Sequence, residues 1–159
     1  MEVFQTQRQW NAQLPTTLVI ACSDGRLQEE VDEFLESHLD IHHFDRLYVP
    51  GGAGALAKSG TEFIRADRLR NECRFLVTAH GVKRVILMFH GPAEDGPDEA
   101  VCGDYMRRLP TSSPADIRRQ QERDAALIFN EGLGEEVDLE IYSCEVTRDE
   151  FVRFVQMHG

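Results

Sequence analysis

The chain has 159 residues, 42% of them hydrophobic, enough to build a core without disulfides. Asp and Glu total 28 against 17 Lys and Arg, a formal charge of −11, so the surface repels phosphate backbones and no nucleic-acid partner is expected. No run approaches the ~18 apolar residues of a membrane span, so no membrane association is expected.

The elements read in chain order as alternating strands and helices. Thr17-Leu18-Val19-Ile20-Ala21 is β-branched and apolar, the pattern of a buried central strand. Leu27 to Leu39 follows as a helix with Val31, Phe34 and Leu35 at core spacing. Asp45-Arg46-Leu47-Tyr48-Val49 is a second strand. A helix from about Thr61 to His80 closes on Gly81. The third strand, Arg84 to Phe89, ends at His90-Gly91, and a short helix is predicted from about Asp98 to Leu109. Ser113-Pro114 opens a polar helix that runs to about Glu131, where Gly132-Leu133-Gly134 stops it. Val137 to Val146 is a fourth, half-exposed strand, and Thr147-Arg148-Asp149-Glu150 carries the signal of a capped final helix. The whole predicts one α/β domain over residues 1–159, with a mostly parallel sheet of four to five strands and helices on both faces.

Chemistry concentrates at two strand ends. Cys22-Ser23-Asp24-Gly25-Arg26 places a thiol, a carboxylate and a guanidinium where the first strand stops, and ligands bind at the carboxyl ends of such strands. If the first and third strands are parallel neighbours, Cys22 and His90 stand side by side. Thiolate and imidazole are the preferred zinc ligands, and a catalytic site has three protein ligands with one open position. Gly51, Gly52 and Gly54 after the second strand fit either a main-chain nest for an anion or close packing of a turn against a helix. Cys73 lies on the helical stripe Ala66, Leu69, Cys73, Leu76 and Val77 and reads as core, as does Cys144 in its strand. His38, His42 and His43 fit a loop between helix and strand without a metal. Glu94 to Glu99 reads as a solvated acidic loop or a lid over the cleft.

These residues resemble the β-class carbonic anhydrases. That family carries Cys-x-Asp-x-Arg after its first strand, matched here by Cys22, Asp24 and Arg26. It also carries Gly-His-x-x-Cys-Gly after a later strand. Here His90 matches, Ala93 stands in the cysteine's place, and the next cysteine followed by glycine is Cys102-Gly103. The resemblance therefore implies an insertion between Gly91 and Val101 that returns Cys102 to the third ligand position, where its other reading is a core residue on the short helix. A further departure is Pro50-Gly51-Gly52-Ala53-Gly54-Ala55, which replaces the family's Arg-Asn-Ala-Gly-Asn segment and its polar side chains.

What the resemblance implies is a Zn2+-dependent lyase that reversibly hydrates carbon dioxide to bicarbonate with water activated on zinc. Asp24 would accept a hydrogen bond from that water, and Arg26 would hold Asp24 ionised and off the metal. Should the pair break, Asp24 would turn in as a fourth ligand, as its counterpart does in some family members. The alternatives are a non-catalytic relative that binds zinc or an anion, and a zinc hydrolase of another small substrate such as carbonyl sulfide or carbon disulfide. Gly51, Gly52 and Gly54 are the candidate anion contacts. A homodimer is implied by the resemblance. Four widely spaced cysteines, and a start at Met1-Glu2-Val3-Phe4-Gln5 without basic or apolar character, lead to the expectation of a cytoplasmic protein.

Overall fold

The computed structural model describes residues 1–59 and 63–159. Thr17–Cys22 forms β1, Asp45–Val49 β2, Arg84–Pro92 β3, Asp138–Val146 β4 and Val152–His158 β5. They form one sheet in the order β2-β1-β3-β4-β5. The first four strands are mutually parallel, and β5 runs antiparallel to β4. This is the mostly parallel α/β sheet expected from the sequence.

Apolar residues on both faces of the inner strands explain why β1 and β3 read as unbroken hydrophobic runs. Leu18, Ile20, Val85, Leu87 and Phe89 face one core, shared with the helices α2 (Phe63–His80), α3 (Gly103–Arg108) and α4 (Pro114–Glu131). Val19, Ala21, Ile86 and Met88 face the other, covered by α1 (Gln28–Ser37) through Val31 and Leu35. Cys73 and Cys144 are packed into these two cores, one in each.

The polar helix begins as its sequence demands. Ser113 Oγ accepts from the Asp116 N–H at 3.1 Å, the Asp116 carboxylate reaches back to the Ser113 N–H, and Pro114 fills the first position. The predicted start of α2 at Thr61 lies outside the described residues. The predicted helix from Asp98 to Leu109 is two pieces, a 3-10 turn over Asp98–Ala100 and then α3.

One expectation is overturned. Thr147 to Glu150 opens no helix; it is the hairpin turn between β4 and β5. Thr147 Oγ1 accepts from the Phe151 N–H at 3.2 Å, and Glu150 sits at φ 64°, so the capping-like residues close a turn instead. Beyond it, Val152 and Phe154 point to the α1-side core while Phe151 and Arg153 are exposed, the period-two pattern of a strand.

Candidate metal centre

The topology opens a gap where the chemistry lies. Pairing of β1 with β3 runs only as far as Ile20 and Leu87. Beyond that point β1 stays with β2 to Cys22–Val49, and β3 stays with β4 through His90–Cys144 to Pro92–Val146. Two neighbouring strands that part at their carboxyl ends form the crevice where open sheets bind ligands. Cys22 lies on one side of it and His90 on the other.

Cys102 completes the group from outside the sheet. It precedes the first turn of α3, after the segment that leaves β3 at Pro92. The ligand atoms of Cys22, His90 and Cys102 all lie within 4.8 Å of one another. His90 is 3% and Cys102 1% exposed. Among the described residues, both ring nitrogens of His90 are buried without a hydrogen-bond partner. Such atoms are costly to bury unsatisfied, and a metal ion held here would relieve the cost for one of them. The electrostatics agree. The hydrogen bond from the Cys102 thiol, ahead of the opposing effect of burial and the added pull of His90, draws the Cys22 thiol far below its ordinary value. Cys102 is pushed up, first by that same contact and then by burial. Two sulfurs and one imidazole nitrogen are a donor set that suits zinc and leaves one position open.

Asp24 is not part of this trio and is paired with Arg26. Arg26 donates from Nε to both Asp24 oxygens at 3.0 and 3.2 Å and from Nη2 to Oδ2 at 2.7 Å. The Arg26 hydrogen bonds hold the Asp24 carboxyl down at about 2. Nη1 of Arg26 donates to the main-chain oxygen of Glu99 at 3.0 Å, so the acidic segment touches the pair through its backbone. Its side chains Glu94, Asp95, Asp98 and Glu99 are exposed.

The turn after β2 is entirely buried from Gly51 to Ala57. Gly51 (φ 90°) presses on the Asp104 side chain, and a β-carbon on Gly52 (φ 53°) would stand 2.6 Å from both Cys22 N and Met88 O. Gly54 lies against the Tyr105 ring, and its N–H is spent on the Gly51 carbonyl at 3.0 Å. Close packing accounts for glycine at these three positions.

Three supports of the site escape the motif reading. Asp104 is buried and meets Arg65, Arg107 and Arg108, at 2.9, 2.5 and 3.3 Å. Asp124, fully buried, accepts from Tyr105 Oη at 2.6 Å and Ser59 Oγ at 3.1 Å. Gln121 donates to the His90 carbonyl at 2.9 Å and fixes the strand end that carries the imidazole. A signal for the last two was present: Ile117, Gln121, Asp124 and Ile128 recur at helical spacing, so two polar side chains interrupt an apolar stripe. The remaining histidines of the loop do other work. His38 stacks on Phe34, His42 binds Asp40, and His43 meets the Gln13 carbonyl.

Comparison with known proteins follows the same lines. A family model described as "Putative carbonic anhydrase" matches residues 13–97, which include Cys22, Asp24, Arg26 and His90 and stop short of Cys102. The chain matches no curated protein in sequence. Among solved structures it is similar to a carbonic anhydrase from Streptococcus mutans (TM-score 0.51, 16% identity), covering 95% of this chain and 87% of that one. It is also similar to the β-carbonic anhydrase CafA of Aspergillus fumigatus (TM-score 0.51, 14% identity, 92% and 78% covered). A carbonic anhydrase from Glaciozyma antarctica gives TM-score 0.50 at 16% identity, with 92% and 87% covered. Those identities speak for the fold, and the family match spans more than half of the sequence: the chain belongs to the carbonic anhydrase family that this model describes, as a divergent member with a β-class fold.

Proposed function

We propose that this protein holds a zinc ion through Cys22, His90 and Cys102 and catalyses the reversible hydration of carbon dioxide. The observation that carries the reading is the convergence of the three donors around an imidazole with no hydrogen-bond partner among the described residues. When bound, zinc lowers the pKa of water toward neutrality and so supplies a nucleophile at ordinary pH. The protein's own groups do the rest. Asp24, kept ionised by Arg26, is a fixed hydrogen-bond acceptor at the mouth of the crevice. Gln121 holds the His90 carbonyl and thereby the orientation of the strand end. The turn of Gly51, Gly52 and Gly54, the candidate anion contacts, offers bicarbonate main chain and no polar side chain, with the Gly54 N–H already bonded to the Gly51 carbonyl.

That bareness favours a second reading, a relative that binds zinc without turnover. Stopped-flow carbon dioxide hydration on zinc-loaded protein, from about pH 6.5 to 9 where zinc-activated water changes protonation, separates the two. Hydration that rises with pH and disappears in Asp24→Ala supports the lyase, and its absence with zinc in place supports the binder.

The proposal includes a homodimer in the cytoplasm. Val3, Phe4 and Trp10 on the N-terminal segment are 90%, 78% and 89% exposed, which supports burial against a second copy, and all four cysteines are free. Sedimentation at micromolar concentration checks the assembly.

A further inference from the structure

We infer that the main-chain carbonyl of Glu99 is a positioning group for the centre, setting through Arg26 whether Asp24 stays clear of the metal donors. The inference deepens the zinc reading above and rests on it for its functional consequence. Its structural half stands without metal.

Asp24 and Arg26 are two residues apart and Arg26 is 60% exposed, so alone they form the kind of surface ion pair that fixes little. What distinguishes this pair is the third bond. The guanidinium is a planar fork whose donors have fixed directions. With Nη1 seated on the Glu99 oxygen at 3.0 Å, Nε and Nη2 are aimed at the Asp24 carboxylate. The carboxylate then has both oxygens occupied, and it is absent from the cluster of donor atoms formed by Cys22, His90 and Cys102 among the described residues.

The Glu99 carbonyl is in turn placed by main-chain bonds to the sheet. Ala93 N–H donates to the Val146 carbonyl at 2.8 Å, Gly96 N–H to Ala93 at 3.0 Å, and Ala100 N–H to Pro97 at 3.0 Å. Gly96 is pressed onto Val146, and a β-carbon there would also stand 2.8 Å from Ala93 N. A cavity of about 270 Å³ separates Pro97, Glu99 and Ala100 from Val146, Glu150 and Val152, with Asp24 and Arg26 at its edge. A shift of residues 96–99 therefore has room to occur and would move the oxygen on which Arg26 rests. The same segment ends at Cys102, so it places one donor and restrains the group that competes for the open position.

Two variants disturb the segment without touching Asp24, Arg26 or a donor. Gly96→Ala displaces it from Val146, and Pro97→Gly loosens it without a clash. In metal-free protein, solvent exchange of the Arg26 Nε–H measured by 15N NMR should quicken at least about tenfold in both, the factor a hydrogen bond to a charged group represents. In cobalt(II)-loaded protein both should give the visible spectrum of Arg26→Ala, and adding Asp24→Ala should return the wild-type spectrum. Unchanged exchange in whichever loop variant folds overturns the inference. So does a wild-type cobalt spectrum in the loop variants beside an altered one in Arg26→Ala. Failure of cobalt to engage Cys22, His90 and Cys102 instead sinks the zinc reading, and the exchange measurement still decides the role of Glu99.

Discussion

Gly54 is in van der Waals contact with the ring of Tyr105 so closely that a β-carbon at residue 54 would stand 2.6 Å from the phenolic oxygen. Tyr105 is 1% exposed and anchored to Asp124, so it has nowhere to retreat. Gly54→Ala should cost about 1–3 kcal/mol, the usual toll of overpacking. Urea denaturation checks this, and a smaller cost would mean that Tyr105 has more freedom than its surroundings suggest.

The Tyr105–Asp124 bond is itself testable. Asp124 is fully buried and receives Tyr105 Oη at 2.6 Å. Tyr105→Phe keeps the ring and removes one of the carboxylate's donors, so it should destabilise by about 1–3 kcal/mol. Because Tyr105 lies on α3 just after Cys102, the same variant should also weaken zinc affinity, measured by competition with a chelator.

Stability should depend on pH at both extremes through Glu140 and Tyr142. Burial and then the hydrogen bond to Glu140 lift the Tyr142 phenol to about 12. A phenol raised in the fold contributes fully below its ordinary value of 10.0 and loses that contribution as pH rises toward 12. Glu140 shifts the other way. Burial would raise it, but bonds from Arg84 at 2.6 Å and Tyr142 at 2.6 Å outweigh this and hold it below its ordinary 4.5. Its contribution is complete above 4.5 and is lost as pH falls through the lowered value. Tyr142→Phe should make the alkaline decline shallower and Glu140→Gln the acid one, in urea midpoints recorded across pH.

Zinc content should separate the cysteines. Cys102→Ser should lower zinc affinity by more than the ~10–100-fold typical of losing an outer-shell partner. Cys73→Ser, in the core with α2, should leave zinc content unchanged while reducing stability. Equal zinc in wild type and Cys102→Ser would remove Cys102 from the ligand set.

Much of this was legible because local signals and tertiary context agreed. Thr17 to Ala21 reads as a buried strand since both its faces meet apolar layers, and Ser113-Pro114 states its own helix start. Cys22 and His90 could be paired from sequence because parallel strands bring their carboxyl ends to one edge. Thr147 to Glu150 misled because the same short polar side chain that caps a helix also closes a hairpin, and only the alternation of Val152 and Phe154 against exposed neighbours decides between them. Glu99 was out of reach for a different reason. Its contribution is a carbonyl oxygen, which every residue has, and its partner lies 73 positions away. The Asp104 cluster likewise depends on Arg65 arriving from another helix, a meeting that no spacing in the sequence encodes.

Cys22 and His90 stand on adjoining strands, but Cys102 is reached only after the chain has left the sheet at Pro92 and returned to the interior at Ala100. An ion gripping all three would act on this detour as a covalent cross-link does, closing a ring of main chain against a rigid base. Closure costs grow only with the logarithm of ring size, about 0.6 kcal/mol for each doubling. The length of the excursion is therefore nearly free to vary, so long as its last residue still delivers sulfur to the same spot.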